Sequence, residues 1–116
     1  SVLKAEAAVA KAREFLDATL KQAGHLADQW EKAVAEGGSE LVPTLEAHLR
    51  FNRSQLNKYQ SELAAAEAAL EAARTTEAEQ TEAMAAASAA EATEAARVRA
   101  EREKELERER VVAEAA

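Results

Sequence analysis

Chemistry in a chain without cysteine falls to its histidines, carboxylates, hydroxyls and glycines. His25 and His48 have neither a second histidine nor a carboxylate at metal-ligand spacing, so neither begins a zinc pattern. Both are read as helix-surface residues. No nucleophile sits with a base partner, and Gly37-Gly38 is too short to cradle a phosphate as a P-loop does. Asn52-Arg53-Ser54 satisfies the glycosylation sequon but falls inside a helical pattern, and is read as chance. The chain is therefore expected to be non-enzymatic, with no cofactor and no metal.

What remains is the capacity to grip another protein. Arg97 to Arg110 is nearly all charge, broken by Val98, Ala100 and Leu106. Candidate partner contacts there are Arg97, Arg99, Arg102, Leu106 and Arg108, whose cations suit acidic loops. Spacings such as Arg97–Glu101 and Arg99–Glu103 suit ion pairs along an exposed helix. Phe51 is a further candidate, because it lies off the main apolar line and, with Leu41, Leu45 and His48, suggests a small apolar patch.

The elements that carry these residues are written in heptads. Val42, Leu49, Leu56, Leu63 and Leu70 recur every seven positions, as do Val2, Val9, Leu16, Ala23 and Trp30 before the Gly37-Gly38 break. Two stripes on either side of one turn predict an all-α fold, an antiparallel two-helix coiled-coil hairpin with a longer second helix. Helix one is expected over about 2–36, the turn over 37–42 and helix two over about 43–116, all in one domain of residues 1–116. Gly37 suits a left-handed helix end, Ser39 an N-cap, Glu40 a first-turn charge, and Pro43 a first helical turn. The expected seam is Val9, Leu16, Ala23 and Trp30 against Leu49, Leu56, Leu63 and Leu70. Like stripe is matched to like: Trp30 with Leu49, Ala23 with Leu56, Leu16 with Leu63, Val9 with Leu70. Trp30 anchors the hairpin near its turn, and Asn52 occupies an inner position where a polar residue sets register.

Composition agrees. Apolar residues make up 47% of the 116, but alanine dominates them and only 3% of residues are aromatic, which serves a thin seam better than a layered core. The net charge of −7 argues against nucleic acid as a partner. No apolar run approaches the roughly 20 residues of a membrane span, so a cytoplasmic location is expected. Beyond about Glu77 the second helix has no partner within the hairpin pattern. Residues 78–96 are alanine-rich, with Met84 alone offering bulk.

An amphipathic first helix, the turn EGGSELVP, a second helix carrying LEAHLRFNRSQLNKYQSEL and the tail ARVRAEREKELERER resemble the FliJ/YscO-type stalk proteins of bacterial type III secretion. The resemblance is one of layout over most of the chain, without a diagnostic motif. It implies a stalk or adaptor that enters a hexameric export ATPase and contacts the export gate or substrate chaperones. A place at the inner membrane, held peripherally by the secretion complex, would follow. The alternative from the residues themselves is a self-associating scaffold. Its overhanging second helix would pair as a homodimer along Met84, Ala87, Val98 and Leu106. A third reading is a scaffold that takes an amphipathic helix on its alanine seam.

Overall fold

The computed structural model describes residues 1–38 and 40–116. Two α-helices account for nearly all of them, α1 over Val2–Ala35 and α2 over Leu41–Ala115. Ser1 caps α1, its hydroxyl accepting from the Lys4 amide at 3.3 Å. At the far end Lys32 lies in the last turn, where a cation complements the helix dipole. The Gly38 amide then reaches back to the Ala33 carbonyl at 2.8 Å and the Gly37 amide to Val34 at 3.2 Å. This crossed pair is the Schellman arrangement, and it needs the left-handed φ of 70° that Gly37 adopts.

Helix α2 starts at Leu41, two residues before the expected boundary, and the Leu41 amide donates to the Gly38 carbonyl at 3.1 Å. Pro43 is thus its third residue, where a missing amide costs no helical hydrogen bond. Glu40 stands just ahead of the first turn instead of within it. The Ser39 cap expected for this helix lies outside the described residues.

By its contacts the chain divides into two units, Ser1–Thr75 and Thr76–Ala116, where the sequence analysis treats residues 1–116 as one domain. Unit 1 is the hairpin. Its inward residues on α1 run Val2, Ala5, Val9, Ala12, Leu16, Thr19, Ala23, Leu26, Trp30 and Ala33. On α2 they run Val42, Leu45, Leu49, Asn52, Leu56, Tyr59, Leu63, Ala66, Leu70 and Ala73, with Gln55 beside them. Steps of three and four alternate throughout, so each helix presents both core positions of a heptad, a and d. The heptad stripes expected from the sequence are the a series (Val2, Val9 and onward; Val42, Leu49 and onward), and of the d series only Asn52 is expected at the seam.

The missing series changes the pairing. Leu26, Ala33 and Leu45 form the buried cluster, and Trp30, Val42 and Leu49 pack against it. Phe15 stacks on Tyr59, and Asn52 reaches the Thr19 backbone. These contacts put Ala33 level with Val42, Trp30 with Leu45, Leu26 with Leu49 and Leu16 with Tyr59. The expected match of like stripes (Trp30 with Leu49, Val9 with Leu70) is therefore displaced by about one helical turn. Reversing the chain direction brings an a residue of one helix into layer with a d residue of the other. Towards the open end of the hairpin the inward α1 positions Ala5 and Ala12 are small, while Leu63 and Leu70 on α2 are large. No side chain among the described residues is fully enclosed, because a two-helix seam has only one partner for each knob.

Unit 2 is helical up to Ala115 and exposed at every position. Arg97 bridges Glu94 at 2.6 Å and Glu101 at 2.7 Å, and Arg110 bonds Glu107 and Glu114. Arg108 lies 3.6 Å from Glu105. The expected Arg99–Glu103 pair is not among the ion pairs of the described residues.

Candidate protein-interaction surfaces

Among the described residues no group of three or more histidine, cysteine or acidic side chains is placed to hold a metal. His25 is exposed, with its Nε2 3.4 Å from the Gln29 amide nitrogen, and His48 lies on the rim of a cleft between the helices. No helix is long and apolar enough to cross a membrane. The surfaces open to solvent are the flanks of the hairpin and the whole of unit 2.

The seam itself is occupied. Val9 is buried, and Leu16, Ala23, Trp30, Leu49, Leu56, Leu63 and Leu70 are half-buried against the opposite helix. The Trp30 indole nitrogen is buried and finds no hydrogen-bond acceptor among the described residues. Asn52, only 5% exposed, donates from its side-chain amide to the Thr19 carbonyl at 3.2 Å. Thr19 spends its own hydroxyl on the Phe15 carbonyl at 2.7 Å. The buried amide is thereby paired across the seam with a main-chain acceptor, as a polar group at a core position requires. Burial also removes Asn52 from any modifying enzyme.

The two flanks differ in kind. One carries the e positions, where Arg13 meets Glu67 at 3.5 Å and, nearer the turn, Ala27, Arg50 and Arg53 line a shallow cleft. On the other flank are the g and c positions. Here Phe15 stacks on Tyr59 with centroids 5.6 Å apart, Lys11 lies 6.0 Å from the Phe15 ring and Lys58 5.7 Å from Tyr59. A cleft of about 310 Å³ continues this flank, lined by Gln22, Leu26, His48, Phe51, Asn52 and Gln55 among others. Phe51 is 66% exposed on its rim. The apolar patch expected around Phe51 is smaller than the sequence suggested, because Leu45, at 7% exposure, belongs to the core.

In unit 2 Arg97, Arg99, Arg102, Leu106 and Arg108 all face solvent, as do Met84, Val98, Val111 and Val112. The Arg97 guanidinium holds the Glu94 carboxyl below its ordinary range, and Glu94 and Glu101 in turn raise Arg97. Arg97 is thus engaged within its own helix, and a partner would have to compete with two carboxylates for it.

The aromatic, cationic flank escaped the sequence reading. Its signal lay in the three-residue offset from each a residue to a d residue, which small side chains such as Ala12 and Thr19 concealed. No family model matches the chain, and no curated protein or solved structure is significantly similar to it.

Proposed function

We propose that this chain is a non-catalytic coiled-coil adaptor, with the hairpin as its ordered body and the Thr76–Ala115 stretch of α2 as its contact with another protein. One observation carries this reading. A helix of some forty residues holds Met84, Val98, Leu106, Val111 and Val112 in solvent, with no described residue burying them. Isolated helices are marginal in water, and a covering partner supplies the packing that unit 2 lacks. In its sharpest form the partner is the hexameric ATPase of a bacterial type III secretion system, with the export gate or a chaperone as further contacts. The layout resemblance supports that form, and the Arg97–Arg110 cations offer an electrostatic grip on acidic loops.

The test is direct. Added to a secretion ATPase, the chain should form a complex of one copy per hexamer and raise the rate of ATP hydrolysis. Charge reversal at Arg99, Arg102 and Arg108 should abolish the stimulation while helicity is retained. Absence of binding at low ionic strength would remove the secretion reading.

The same exposed side chains favour a second reading, a scaffold that self-associates through unit 2. A sedimentation coefficient that rises with concentration supports it, and a monomer at every concentration excludes it.

A further inference from the structure

The charges of this acidic chain are sorted. Within the hairpin, the g and c positions carry Lys4, Lys11, Lys32 and Lys58 together with His25 and His48, all exposed. Glu62 is the one carboxylate at those positions within the two helices of unit 1. At the centre of this face lie the Phe15–Tyr59 stack and exposed Phe51, so cations surround aromatic surface. The e and b positions, in contrast, mix both signs and pair across the seam, as Arg13 does with Glu67.

Unit 2 opens with the complement. Residues 76–96 hold five glutamates and neither lysine nor arginine. Continued past the hairpin, the a and d positions of α2 become Glu77, Gln80, Met84, Ala87, Glu91 and Glu94. They form one stripe on which Met84, 74% exposed, lies between Gln80 and Ala87, with Glu77 and Glu91 one heptad away on either side. The stripe is matched in kind to the hairpin face, apolar against aromatic and anion against cation. Thr76–Ala96 spans about 30 Å at helical rise and so fits within the roughly 42 Å from Lys4 to Lys32.

We propose that the basic, aromatic-centred face of the hairpin receives the acidic Thr76–Ala96 helix of a second copy of the chain. Each copy supplies one face and one stripe, so a reciprocal contact would use both. Complementary charge fixes orientation and suppresses pairing of two acidic stripes, which would set Glu77, Glu91 and Glu94 near their own counterparts. The proposal rests on the self-association reading above and replaces pairing between two copies of unit 2 with pairing between unit 2 and the hairpin. It leaves the Arg97–Arg110 run open to another partner.

A charge-swap experiment on the full chain tests it by sedimentation velocity between about 1 and about 100 µM. The native chain should dimerise at low salt, with a dissociation constant that rises at least about tenfold on going to high salt. K11E/K58E and E77K/E91K should each weaken the homodimer by at least about tenfold, since surface ion pairs add modestly but together. Mixed one to one, the two variants should restore the dimer, because each acidic surface then meets a basic one. Far-ultraviolet circular dichroism checks helicity, and K11Q/K58Q replaces the reversal should helicity fall.

A native monomer throughout overturns both this inference and the self-association reading. A dimer indifferent to K11E/K58E, or variants that fail to complement, overturns the docking face and leaves self-association standing. A native monomer that nevertheless binds a polyglutamate peptide through Lys11 and Lys58 makes the face a site for another acidic helix and overturns the second copy as its occupant.

Discussion

The stretches of α2 before and after Thr75 are equally helical for different reasons. From Leu41 to Thr75, Val42, Leu49, Leu56, Leu63 and Leu70 meet α1, and tertiary packing holds the helix. From Thr76 onward the same heptad position reads Glu77, Met84, Glu91, Val98 and Glu105, and every residue is exposed. What holds this part is alanine propensity and ion pairs three and four residues apart. One regular secondary structure thus conceals two regimes of stability. A cooperative hairpin precedes a helix that frays progressively unless something covers it.

The largest contrast should come from truncating one leucine in each regime. Leu45→Ala removes a core side chain and should cost about 2–3 kcal/mol. Leu106→Ala, at an exposed site, should stay within about 0.5 kcal/mol. Trp30, the single tryptophan, reports the hairpin alone, whereas far-ultraviolet circular dichroism reports both units. Thermal transitions followed by the two probes should not coincide, and superimposable curves would make the chain one cooperative body.

Asn52 gives the next test. Asn52→Leu should raise the unfolding free energy read from urea titration by about 1 kcal/mol, while admitting slipped registers. Distances between spin labels at positions 20 and 60 would show this as a broadened distribution. An unbroadened distribution would take register control away from Asn52.

Gly37→Ala places a Cβ at φ 70° and should cost about 1 kcal/mol of hairpin stability. Gly24 lies mid-helix with no neighbour within 4 Å of an added Cβ, so Gly24→Ala should gain a similar amount. Equal signs for the two glycines, read from urea titrations, would contradict the turn geometry.

The smallest effect belongs to the exposed ion pairs. Arg97 lowers the Glu94 pKa, so the charged pair favours the helix above the ordinary carboxylate pKa. That contribution is lost as pH falls through the lowered value. Ellipticity of unit 2 should therefore decline slightly on acidification, and less in Arg97→Gln. Added salt should reduce the difference, and an identical acid response in both proteins would remove the pair from the account.

Much of the fold was legible because heptad periodicity and the paired glycines act locally. The a stripe ends at Leu70, and burial ends three residues later at Ala73, so even the division of α2 is written in the spacing of its leucines. The candidate surfaces were harder to read. Phe51 could be picked out because it lies off the leucine line, yet Leu45, its supposed companion, packs inward. Lys11, Phe15, Lys58 and Tyr59 are distant in sequence and drew no notice until the hairpin set them on one flank.

The sequence by itself determined two helices, the place of the turn, and the point past which α2 loses its partner. Those features follow from side-chain period and backbone freedom, which each residue carries wherever it sits. Only the tertiary structure decided which residues face one another. Register depends on how a d side chain of one helix fits between a side chains of the other, and contacts such as the Asn52 to Thr19 bond are contained in no single helix. The cationic face exists for the same reason, since antiparallel packing brings the g and c positions of two helices to one side.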